Sequence, residues 1–101
     1  MEAIDELIVP TVSLCEVFKR VLVLRSEGDA LQAVALMQQG SVVELSSPIA
    51  LEAARTSAAL GLPMADSIIL ATARANEATL WTQDPDFEGV EGVRYVAQRS
   101  L

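Results

Sequence analysis

The sequence predicts an α/β fold with a mostly parallel sheet. Two observations carry that prediction. Short apolar or β-branched runs alternate with longer stretches of helical spacing, in the order βααβααβ(turn)β. And 51% of the 101 residues are apolar, which suits one domain, residues 1–101, with a real core rather than a disordered chain.

The elements follow in order. Glu6 to Pro10 is a short apolar run closed by proline and reads as a buried strand. Thr11 to Arg25 carries apolar residues at 14, 15, 17, 18, 21, 22 and 24, a broad helical stripe, with Ser13 and Glu16 in capping-box spacing near its start. Glu27-Gly28-Asp29 ends that helix and opens a second, Ala30 to Gln39, stopped by Gly40. Ser41 to Leu45 is a β-branched strand. Ser46-Ser47-Pro48 offers cap residues and a proline for the Ala-rich helix Ile49 to Leu60, which Gly61 closes. Met64 to Asn76 is the next helix, Ala78 to Thr82 a strand, Asp84 to Phe87 a turn or one short helical turn, and Val93 to Ala97 a last strand.

Absences narrow the chemistry. The chain has no histidine and one cysteine. A Ser-His-Asp triad, a Cys-His pair, an imidazole metal site, an intrachain disulfide framework and a Cys-based zinc site are therefore excluded within one chain. Cys15 reads as a small buried hydrophobe in a reducing compartment. The net charge of −7 argues against a simple basic surface for nucleic acid. Met1 to Glu6 carries acids and no basic stretch of a signal peptide, and no apolar run approaches the roughly 18 residues of a membrane span. A cytoplasmic location is the expectation.

Most acids read as surface charge, but three positions stand apart. Asp66 enters a helix that is apolar almost all round, so burial is expected, and a buried carboxylate needs a reason. The bland reason is first-turn complementarity to the helix dipole; the sharper one, favoured here, is a metal-binding carboxylate. Glu16 reads alone as structural, closing the capping box or pairing with Arg20 one turn on. Asp84 before Pro85 reads alone as an N-cap, with Asp86 the more solvated of the pair. Topology shifts these odds, because Glu16 and Asp84 follow strands and belong at the carboxyl edge of the sheet, where ligands bind in open α/β folds. Asp66 follows a helix–helix connection, so that rule does not fix its edge; if it joins the other two, three converging carboxylates are unstable unless protonated or neutralised by a cation, and hard oxygen ligands select Mg²⁺ or Mn²⁺. No glycine spacing makes a phosphate loop, and Trp81 reads as core or sheet surface.

Three stretches resemble the acidic motifs of PIN-domain proteins. Leu7 to Val17, with Glu16, resembles the second motif; Gly61 to Ala73, with Asp66, resembles the third closely; Ala78 to Phe87, with Asp84, resembles the fourth. The nearest subgroup is the VapC-type toxins of prokaryotic toxin–antitoxin pairs. The resemblance implies a three-layer α/β/α fold and a metal-dependent endoribonuclease. Its catalytic and metal-binding acids would be Glu16, Asp66 and Asp84, holding Mg²⁺ or Mn²⁺, with Thr82 and Asp86 in support. It further implies an RNA substrate, a VapB-like antitoxin whose C-terminal segment covers the acidic site, and a homodimer.

One departure is large. The family begins with a central strand carrying an aspartate, and nothing before Glu6 matches it. The expectation is a PIN-like domain truncated at its N-terminus by roughly one βα unit, about 30 residues. It would lack one metal ligand and leave two strand edges needing partners. A dimer or an unusual strand pairing is then expected. Activity is left uncertain, leaning towards the ribonuclease. The alternative is a catalytically inactive remnant that binds an antitoxin-like protein or itself.

Overall fold

The computed structural model describes residues 8–82 and 84–96. Two compact units divide at Ser46–Ser47. The first runs β1 (Ile8–Pro10), α1 (Thr11–Leu24), α2 (Glu27–Met37) and β2 (Ser41–Val43); the second runs α3 (Ser47–Leu60), α4 (Met64–Ala75), β3 (Leu80–Thr82), a 3₁₀ turn (Pro85–Phe87) and β4 (Val93–Tyr95). The predicted α/β class and its parallel strands are observed, one parallel pair in each unit. Residues 6, 7 and 97, where the sequence reading begins its first strand and ends its last, lie outside the described residues.

In the first unit β1 pairs with β2, Val9 opposite Val42. Pro10 ends the strand with φ −63° and ψ 143° and is itself the N-cap of α1, without any side-chain cap. The strand therefore turns directly into the helix at Thr11. Ser13 lies inside the first turn, so the expected Ser13–Glu16 capping box is corrected: proline's fixed φ starts the helix earlier. The second helix also starts earlier than predicted. Ser26 caps it, its Oγ accepting the Asp29 N–H at 3.1 Å, and Glu27 and Asp29 complement the dipole in the first turn. Cys15 is exposed, which corrects its reading as a buried hydrophobe.

The second unit holds the packed core. Leu62, Leu70 and Phe87 are buried against one another, with Leu80, Val90 and Val93 packed around them. α3 and α4 pack extensively on each other. The corner between them is fixed at Gly61, whose φ of +69° suits the left-handed conformation that ends a helix. There the Ser57 hydroxyl donates to the Leu62 carbonyl at 2.7 Å, and the Ser67 hydroxyl donates to the Pro63 carbonyl at 2.9 Å. α4 buries Ser67, Leu70, Ala71, Thr72 and Ala73, more than any other helix. β3 pairs with β4 in the register Leu80–Val93, Trp81–Arg94, Thr82–Tyr95. Among the described residues, no single helix is long and apolar enough to cross a membrane.

Candidate metal centre

Three aspartates of the second unit meet at one place. Asp66 is half-buried and sits in the first turn of α4, a helix whose N-cap is Pro63 and which is anchored in the core by the buried Leu70 one turn further on. Its negative charge there is stabilised by the helix dipole. Asp84 is half-buried at the end of β3 and caps the 3₁₀ turn, its Oδ1 accepting the Asp86 N–H at 2.9 Å. Its own N–H donates to the Thr82 hydroxyl at 3.0 Å. The backbone either side of Asp84 is thus tied by side-chain hydrogen bonds, and the buried Phe87 pins the turn to the core. Asp86, exposed, is drawn alongside Asp84 because the cap folds the chain back within two residues.

One carboxylate oxygen from each of Asp66, Asp84 and Asp86 lies within 4.8 Å of the others. Three anionic groups so close repel one another, and a cation or a proton relieves that repulsion. The donor set is all carboxylate oxygen, the set that hard divalent cations such as Mg²⁺ and Mn²⁺ prefer. Each carboxylate has two oxygens, so Asp84 can cap the turn with one and still face a cation with the other. The residues present fit a divalent metal.

The family model described as PIN domain matches residues 1–93. The chain belongs to the PIN domain family. Among solved structures, it is similar to one described as a toxin–antitoxin complex from Klebsiella pneumoniae, at 26% identity and a TM-score of 0.71 over 84% of this chain and 69% of that one. No curated protein matches.

Within this PIN domain the motif residues fall as follows. Asp66 and Asp84, expected from sequence as metal-binding acids, belong to the three-aspartate group, and Thr82 holds the backbone of Asp84. Asp86, expected only in support, is a full member of the group. The signal for that was present in the sequence: an aspartate two residues after an Asp-Pro cap is brought to the cap's side. Glu16 is the sixth residue of α1 in the first unit, and it is exposed.

Proposed function

We propose that this PIN domain, as one domain spanning residues 1–101, is a divalent-metal-dependent endoribonuclease of the VapC toxin type. The observation that carries the reading is the meeting of Asp66, Asp84 and Asp86 within 4.8 Å in a chain of this family. Asp66 and Asp84 are assigned as catalytic, metal-holding acids. Glu16 joins them on its motif resemblance alone. Asp86 adds a solvent-facing carboxylate, and Thr82 positions Asp84 through the 3.0 Å hydrogen bond to its backbone N–H. When bound, Mg²⁺ or Mn²⁺ stabilises charge on the phosphodiester and activates water for in-line attack. The chain's own part is to hold three anionic groups at fixed separations on α4 and the 3₁₀ turn, so that little reorganisation accompanies binding.

The toxin–antitoxin neighbour supports a VapB-like antitoxin as protein partner. A homodimer and a cytoplasmic location complete the proposal. The test is cleavage of a mixed-sequence RNA by the full chain. Activity should appear with Mn²⁺ or Mg²⁺, vanish with chelator, and fall to background in Asp66→Asn and Asp84→Asn. Metal-stimulated cleavage that survives Asp66→Asn overturns the assignment. A chain that binds an antitoxin yet never cleaves RNA is the inactive interaction module instead.

A further inference from the structure

We infer that Trp81 and Arg94 form a stacking platform for single-stranded RNA on the strand pair that leads to the acidic group, Trp81 taking a base and Arg94 an adjacent phosphate. The choice of RNA as occupant rests on the nuclease reading above. Trp81 is the chain's only tryptophan. It sits mid-strand in β3, where Leu80 and Thr82 are half-buried and Trp81 points the other way, 65% exposed. Such a side chain carries a large apolar area, and leaving most of it in water is unfavourable unless something covers it.

Its neighbour across the ladder is Arg94, also exposed, with the guanidinium carbon 5.4 Å from the ring centroid. The other arginines described in the second unit are engaged differently. Arg55 pairs with Glu52, and Arg74 donates to the Glu91 carbonyl. No hydrogen bond or ion pair with another described residue engages the N–H donors of Arg94, which leaves them available to a phosphate.

Location and charge complementarity favour a nucleic acid strand over a protein. In a chain of net charge −7, long-range attraction does not draw RNA to the surface, so a local exposed cation is the contact a phosphate needs. Trp81 directly precedes Thr82, whose hydroxyl holds Asp84. Three extended residues span at most about 11 Å, so the backbones of Trp81 and Asp84 lie within that distance of each other. Base stacking on tryptophan tolerates any sequence, because every base has a π-face.

The lone tryptophan reports on its own occupancy. A short oligouridylate titrated into the full chain in chelator, where no metal-dependent cleavage occurs, should quench Trp81 emission saturably. Arg94→Ala should weaken binding several-fold and flatten its salt dependence by about one phosphate contact. Trp81→Ala should weaken binding of a fluorescently labelled oligomer at least about fivefold, and Trp81→Phe should retain most of it, each variant first checked for native circular dichroism. Emission unchanged by RNA in a chain that cleaves RNA with Mn²⁺ overturns the platform and leaves the nuclease reading standing. Quenching without any cleavage does the reverse. Wild-type RNA affinity in Trp81→Ala, together with weakened self-association in sedimentation, assigns the face to a second copy of the chain and overturns the inference.

Discussion

In the second unit Leu62, Leu70 and Phe87 lie buried together beneath β3 and β4, while in the first the buried apolar residues described are Val9, Pro10 and Ala30. α4 buries five residues of its 12, and α1, two residues longer, buries none. Leu22, Val23, Leu24, Leu31 and Leu36 of the first unit are exposed. Both helices carry helical apolar patterns in sequence, so pattern alone does not decide burial. What differs is the side chains: α4 interleaves Ala, Ser and Thr with Leu70, which lets α3 approach closely. The three aspartates sit on the unit with the larger buried core, which holds their backbones. Rigid support of that kind is what a cation site needs.

Four measurements break or sharpen the contrast. Leu70→Ala, at a fully buried position, should cost about 2–5 kcal/mol in urea unfolding, because it leaves a cavity in the core under the acids. A smaller loss would mean the second unit is packed no better than the first. Saturating Mn²⁺, at about 100 times its Kd, should stabilise the native chain by roughly 2.7 kcal/mol in thermal melts and leave Asp66→Asn nearly unmoved. Equal stabilisation of both would place the cation elsewhere. Ser26→Ala removes the cap of α2 and should cost about 1 kcal/mol, with faster amide exchange confined to the first turn of that helix. Leu24→Gln and Leu36→Gln should change stability by less than about 0.5 kcal/mol, as exposed substitutions do. A loss of several kcal/mol that grows on dilution would show these leucines covered in solution, and the contrast between the units would dissolve.

Local chemistry made much of this molecule legible before its coordinates. Every described helix and strand was placed in order, because Pro10, Gly40, Gly61 and Pro63 punctuate the chain where the backbone changes direction. The cap at Asp84 was legible for the same reason, since Asp-Pro starts a turn whatever surrounds it. Competition between neighbouring signals caused the errors. Ser13 resembled a cap, but Pro10 had already started the helix. Ser26 went unnoticed because Gly28 suggested a break, yet a glycine in the first turn of a helix costs only about 1 kcal/mol. Residue type places Cys15 in the interior, yet α1 leaves it exposed to water. The Trp81–Arg94 pair was beyond sequence reasoning, because strand register brings together residues 13 positions apart. The membership of Asp86, by contrast, follows from the Asp-Pro cap two residues before it.

The corner at Gly61 joins α3 and α4 into a hairpin made from sequence neighbours, closed by the Ser57 and Ser67 hydrogen bonds. Contacts so near in sequence form early, since little chain must be ordered to make them. Asp66 is therefore set in place with the hairpin, whereas Asp84 and Asp86 arrive only when the 3₁₀ turn docks through Phe87. The cation-binding group therefore joins a local element to a later one: a chain cut before Asp84 would hold a single acid of the three, and the capacity to bind a divalent ion depends on the docking of the 3₁₀ turn rather than on α4 alone.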